Sequence, residues 1–226
     1  MRSLFLSQII SVIVMVLVAF SAQAKRLPDP KKNILVFGDS LSAGYGVPQG
    51  ESWVALLEKK LFVLNQSQKK LAPNDNWAKY NYKIINASIS GETTSGGLAR
   101  FSNALAEHKS SIVIIELGAN DGLRGLKISD VQNNLNTMIT QAKIANVKVM
   151  LIGMKIPPNY GLKYSKQFSQ MYVNLANQHT VSFVPFLLEG VAGKPELVQA
   201  DGLHPLAVAQ SILLENVWLT LKKMLS

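Results

Sequence analysis

The strongest constraint on the fold is a regular alternation of short apolar runs with longer segments of helical spacing. Ile34 to Phe37, Lys83 to Asn86, Ile112 to Leu117, Lys148 to Ile152 and Ser182 to Pro185 read as strands. Their continuous apolar character suits a parallel sheet covered on both faces. Between and after them, Trp53 to Leu64, Gly97 to Glu107, Asp130 to Ala145, Ser165 to Gln178 and Leu206 to Leu225 read as helices. Strand and helix in strict turn predict right-handed crossovers and a three-layer α/β/α domain. In such a sheet the functional site lies at the carboxyl ends of the strands.

The 226 residues, 48% apolar and 16% charged, suffice for one domain with a sizeable core. The first residues break the pattern: Arg2 precedes an uncharged stretch from Leu4 to Phe20 and then Ser21-Ala22-Gln23-Ala24. This reads as a signal peptide cleaved after Ala24, with residues 25–226 as the exported domain. The alternative is an uncleaved anchor, since about 17 residues lies at the short end of what spans a bilayer. The chain has no cysteine, so lipid attachment through a processed cysteine and disulfide dependence are both excluded.

The net charge of +9 predicts solubility and weak attraction to anionic membrane surfaces. No aromatic and basic module for nucleic acid is visible. Residues 66–82, polar and lysine-rich around Pro73-Asn74-Asp75-Asn76, read as a surface insertion between the first helix and the second strand.

The residues with chemical potential fall where strands end. Ser40 follows the first strand in Gly38-Asp39-Ser40-Leu41, and its hydroxyl needs a base within hydrogen-bond reach. Of three histidines, His108 and His179 sit in polar surroundings at predicted helix ends. His204 lies in Asp201-Gly202-Leu203-His204-Pro205, where a turn folds the carboxylate back onto the imidazole, and Pro205 suits the first turn of the last helix. Capping alone would also explain Asp39, Ser40 and Asp201. Gly91 after the second strand and Asn120 after the third are candidate donors to a developing oxyanion, and turn formation is their plainer explanation. Glu116, inside the third strand, requires a partner or a wet strand end and reads as support for the following loop. No cysteine and no closely spaced histidine pair argue against zinc, and the glycines of 38–46 form neither a dinucleotide nor a Walker pattern.

Four blocks, Gly-Asp-Ser-Leu-Ser-Ala-Gly-Tyr-Gly (38–46), Asn-Ala-Ser-Ile-Ser-Gly-Glu-Thr (86–93), Gly-Ala-Asn-Asp-Gly-Leu-Arg-Gly (118–125) and Asp-Gly-Leu-His-Pro (201–205), resemble in order the motifs of the SGNH/GDSL hydrolase family. The similarity is greatest to its bacterial periplasmic thioesterase, arylesterase and lysophospholipase group. Typical members have a shorter connection where this chain has residues 66–82.

The resemblance implies a flavodoxin-like five-stranded parallel sheet, no cofactor and no metal. It assigns Ser40 as nucleophile, His204 as base and Asp201 as its orienter, with the Ser40 N–H, Gly91 and Asn120 as oxyanion donors. Leu123, Arg124 and Gly125, with Met154, Ile156 and Pro157, are expected to border an acyl groove, because both segments follow strand ends. The expected protein is a monomeric, exported serine esterase acting on fatty-acyl esters, lysophospholipids and thioesters. A carbohydrate O-deacetylase and a noncatalytic envelope-binding module are the alternatives.

Overall fold

The computed structural model describes residues 32–71 and 80–225. The proposed leader and its cleavage site lie outside them, as do residues 72–79 of the predicted insertion. Five strands form one sheet: β1 (Lys32–Gly38), β2 (Tyr82–Asn86), β3 (Ser110–Glu116), β4 (Lys148–Ile152) and β5 (Ser182–Val184). Their spatial order is β2-β1-β3-β4-β5, with every neighbour parallel. Residues 34–37 of β1 and 112–115 of β3 are wholly inaccessible, which explains why these segments lack the alternation of a one-sided sheet.

The helices are α1 (Ser40–Ala43), α2 (Trp53–Leu71), α3 (Thr94–His108), α4 (Ala119–Leu123), α5 (Ile128–Ile144), α6 (Leu162–His179) and α7 (Gln210–Leu221). The long ones bury one stripe each, as at Val131, Leu135, Met138, Ile139 and Ala142 of α5. Helices α2 and α7 pack together in one layer, and α3, α5 and α6 pack in sequence in the other. The chain moves from β1 outward to β2 and then crosses back over β1 to β3, so the winding reverses between β1 and β3. A crevice at the carboxyl ends of those two strands is what such a reversal produces.

Several boundaries differ from the sequence expectation. Helix α2 continues through Leu71, seven residues past Leu64, because Asn65-Gln66-Ser67-Gln68 contains no helix breaker. Residues 66–71 of the expected insertion are therefore helix. At the other end, the last helix begins regularly at Gln210 after a single 3₁₀ turn at Ala207–Ala209. Pro205 is consequently outside its first turn and instead pairs with Val198 in an antiparallel bridge.

Candidate active site

Asp39 ends the β1 turn by capping α1, its Oδ1 accepting the Leu41 N–H at 3.0 Å. Ser40 thus becomes the first residue of a four-residue helix that stops at Gly44, whose φ of 81° suits only glycine well. This short helix holds the Ser40 hydroxyl at the mouth of the crevice, 8% exposed, with its N–H among the orphan donors of a helix start.

The imidazole arrives from a different part of the chain. Residues 197–206 form a narrow loop closed by Gln199 N–H to His204 O at 2.7 Å and Leu206 N–H to Leu197 O at 2.9 Å. The Gln199 side chain also donates to Tyr45 O at 2.9 Å and Pro205 O at 3.2 Å, fastening this loop to the segment after α1. At its tip, Asp201 Oδ1 accepts the N–H groups of Leu203 at 2.8 Å and His204 at 3.0 Å. Asp201 Oδ2 lies 2.7 Å from His204 Nδ1, and His204 Nε2 lies 2.8 Å from Ser40 Oγ.

An ionised carboxylate only accepts, so the proton belongs on Nδ1 and Nε2 accepts the serine hydroxyl. The backbone N–H of His204, then that of Leu203 and the imidazole itself, hold the Asp201 carboxyl down at about 2. Tyr45 packs its ring against the imidazole with centroids 4.7 Å apart. Ser40, Asp201 and His204 are therefore brought together in the order a general-base relay needs.

Asn120 sits in α4, which starts at Gly118 with φ 116°. Its Nδ2 donates to Glu92 O at 3.0 Å and to Asp39 Oδ2 at 3.2 Å. Gly91, with φ 78°, lies in the adjacent loop, and its carbonyl accepts from Arg124 Nη2 at 3.2 Å. Glu92 is itself tied by both carboxylate oxygens to Arg100, whose guanidinium lies 3.9 Å over the Phe37 ring. Asp121 takes the Thr94 N–H at 2.9 Å and its hydroxyl at 2.6 Å, locking α4 to the start of α3.

Glu116 acquires the partner its position demands. Ser42 Oγ donates to its Oε2 at 2.6 Å, and the Asp39 N–H lies 3.4 Å from the same atom. Burial, followed by the neighbouring Asp39 charge, raises the Glu116 carboxyl well above its usual range, and burial raises Asp39 to about 7. The proton in this pair is held first by Glu116, because Asp39 has a backbone N–H, the imidazole and the Asn120 amide on its side.

A groove of about 540 Å³ opens from Ser40, Asn120 and His204 and is mainly apolar. Leu123, Met154, Ile156 and Pro157 line it as the sequence suggests. Arg124 and Gly125 do not: α4 ends at Leu123, the Arg124 side chain turns to the Gly91 carbonyl, and Gly125 lies in the turn beyond. The lining also includes Phe186, Leu188, Ala192, Val198 and Leu203, apolar residues after β5 that the sequence marks only by their position past the last strand.

Among the described residues, no group of three or more His, Cys, Asp or Glu side chains is placed to hold a metal ion. Nor is any described helix long and apolar enough to cross a membrane.

Residues 36–211 match the GDSL-like Lipase/Acylhydrolase family. The chain is 47% identical over 194 residues to "Esterase TesA" of Pseudomonas aeruginosa, covering 86% of this chain and 90% of the relative. It is 38% identical over 177 residues to "Thioesterase 1/protease 1/lysophospholipase L1" of Escherichia coli, covering 78% and 77% of the two. The solved structure described as "Crystal Structure of TesA" superimposes with a TM-score of 0.75 at 47% identity, covering 86% of this chain and all of that one.

Proposed function

The chain belongs to the GDSL-like lipase/acylhydrolase family and is an ester hydrolase, and from that premise we propose that it cleaves fatty-acyl esters and thioesters through an acyl-Ser40 intermediate. The observation that carries this reading is the continuous Ser40, His204, Asp201 relay opening onto an apolar groove. Ser40 Oγ attacks the acyl carbonyl as its proton passes to His204 Nε2. Asp201 holds the imidazolium, and the same proton goes to the departing alcohol or thiol. Water then gives its proton to His204 and attacks the acyl-serine, and the returning proton frees Ser40.

The negative oxygen of each tetrahedral stage is held by the Ser40 N–H, the Gly91 N–H and Asn120 Nδ2, donors of the kind whose single loss costs roughly 10²–10³-fold in turnover. Leu123, Met154, Ile156 and Pro157 cover the alkyl chain from one side. The name of the E. coli relative supports thioesters and lysophospholipids as substrates.

Initial rates on nitrophenyl esters from acetyl to palmitoyl, with Ser40→Ala as control and a phosphonate label to mark the nucleophile, test the reading. Ser40-dependent rates that extend past acetyl support it. Activity confined to acetyl would turn the assignment to an O-deacetylase, and no activity above the control would leave a binding module. The proposal includes export as a monomer of residues 25–226 after cleavage at Ala24, with weak attraction to anionic membranes. An intact N-terminus on the protein recovered from the cell envelope would refute the cleavage.

A further inference from the structure

The Asn120 amide nitrogen has two N–H groups, and the resting structure provides an acceptor for each: Glu92 O at 3.0 Å and Asp39 Oδ2 at 3.2 Å. The Glu92 carbonyl cannot donate, nor can Asp39 in its ionised form, so a flipped amide would then set its oxygen against two oxygens. We propose that Asp39 is a positioning residue of the oxyanion hole: its carboxylate aims the Asn120 nitrogen at the space beside Ser40 and gives up that N–H to the substrate oxygen as charge develops there. The inference rests on the assignment of Asn120 as an oxyanion donor.

The geometry divides the labour between the two acceptors. The bond to the Glu92 carbonyl is the shorter, and that carbonyl belongs to a residue anchored through Arg100 to the Phe37 ring. It keeps the nitrogen in place. The longer bond to Asp39 is the one a substrate oxygen, approaching from the groove that Asp39, Ser40 and Asn120 all line, displaces.

Helix capping does not account for Asp39. The cap uses Oδ1 alone, and a serine would supply that oxygen without burying a carboxylate at zero exposure. The second oxygen is the part that reaches Asn120. Behind it, Glu116 receives the Ser42 hydroxyl at 2.6 Å and the Asp39 N–H at 3.4 Å, which fixes the Asp39 backbone from below. A Cβ at Gly38 would lie 2.5 Å from the same Glu116 oxygen, so this close stacking requires glycine there.

The charged groups around Asp39 are Glu116 from β3, Asp121 from α4 and His204 from the C-terminal loop. Burial holds Asp39 up at about 7 and raises Glu116 well above its ordinary range. Beside a developing oxyanion the pair therefore carries less negative charge than two ordinary carboxylates would, and an acceptor that must release its donor to an anion benefits from that reduction.

A double-mutant cycle tests the proposal, with kcat and KM measured on a nitrophenyl butyrate for the full domain, Asp39→Asn, Asn120→Ala and the pair, beside thermal unfolding of each. In Asp39→Asn one amide oxygen still caps Leu41 while an NH₂ opposes the Asn120 nitrogen. Turnover should fall about 10²-fold, the cost of a misplaced catalytic group, with KM nearly unchanged. The pair should lose no more than Asn120→Ala alone.

Asp39→Ser retains a capping oxygen but cannot reach Asn120, and should show the same lack of additivity if Asp39→Asn does not fold. Losses that multiply, or wild-type turnover in Asp39→Asn, would overturn the positioning role while leaving the oxyanion assignment intact. Full activity in Asn120→Ala would overturn both.

Discussion

Replacing Gly118 by alanine offers a demanding test of how the fold delivers Asn120. Gly118 joins β3 to α4 at φ 116°, in a region that side-chain-bearing residues enter only with strain of about 1–3 kcal/mol. Its surroundings add a second cost. A Cβ there would land on the Tyr172 hydroxyl, which is fully buried and donates to Leu117 O at 2.9 Å. Displacing that group costs about 1–3 kcal/mol more as overpacking. Gly118→Ala should therefore lose about 2–6 kcal/mol, a large part of the roughly 5–15 kcal/mol that stabilises a typical domain.

Tyr172→Phe alone leaves the Leu117 carbonyl without its donor and should cost about 1–3 kcal/mol. It also removes the atom that the new methyl would strike, and the next obstacle, Tyr172 Cζ, lies 3.3 Å away, near enough for a small adjustment. The double variant should accordingly be about 1–3 kcal/mol less destabilised than the sum of the two singles. Urea unfolding followed by tryptophan fluorescence, with unchanged slopes, measures all three. Additivity within about 0.5 kcal/mol would refute the steric account, and a Gly118→Ala protein within about 1 kcal/mol of wild type would refute the backbone argument as well.

Asp201→Asn keeps an oxygen for the Leu203 and His204 N–H groups but sets an NH₂ against Nδ1, forcing the wrong tautomer on His204; turnover should fall by up to about 10⁴-fold with KM little changed, and steady-state rates beside circular dichroism would reveal either a smaller effect or simple unfolding. Along the ester series, each added methylene that reaches the groove should contribute about 0.8 kcal/mol, near fourfold in kcat/KM. Ile156→Trp should end that rise at shorter chains while sparing acetyl, and an unchanged chain-length profile would remove Ile156 from the groove assignment. Because Asp39 and Glu116 are raised by burial, the folded chain keeps protons that the unfolded chain has released, so their contribution to stability declines as pH rises above the ordinary carboxylate range, for Asp39 between about pH 4 and 7. Glu116→Gln should gain on wild type in thermal stability as pH rises above the ordinary carboxylate range, and a pH-independent difference would show Glu116 to be ordinarily ionised.

The layered fold is legible because β1 and β3 are buried on both faces and their sequences are apolar throughout, while α5 repeats its buried residues at helical spacing. The strand order is not legible, since nothing local in Tyr82–Asn86 says that β2 lies outside β1 and β3 inside. Ser40 and His204 stand out as a nucleophile and the one histidine with an acid three residues away. The groups that hold them do not. Gln199 acts on Tyr45 across more than 150 residues of chain, and the Glu92 carbonyl acts on Asn120 through the backbone, which carries no residue-type signal. Arg124 misled for the same reason: its position past β3 suggested the groove, and a single bond to the Gly91 carbonyl turns it elsewhere.

The residues proposed as catalytic divide into two halves held by different physics. Asp201 and His204 form a local unit, closed by contacts among residues 199–206 and largely outside the core. Ser40 and Asn120 belong to the sheet, because each stands within four residues of a strand whose central residues are inaccessible. The imidazole can thus be oriented within its own turn before it meets Ser40, and the Ser40 bond, the Gln199 bond to Tyr45 and the Tyr45 ring then tie that turn to the segment after β1. The proposed oxyanion donors have no such local closure. Their alignment depends on the turns after β1, β2 and β3 keeping register with one another, and the contacts spanning those turns include Asp39 to Asn120, Asn120 to Glu92, Arg124 to Gly91, Asn86 to the Ser42 carbonyl and Thr94 to Asp121. That is why buried polar side chains collect beneath the oxyanion side of the site, at Asp39, Glu116 and Asp121, while the Asp201 carboxylate remains in contact with water.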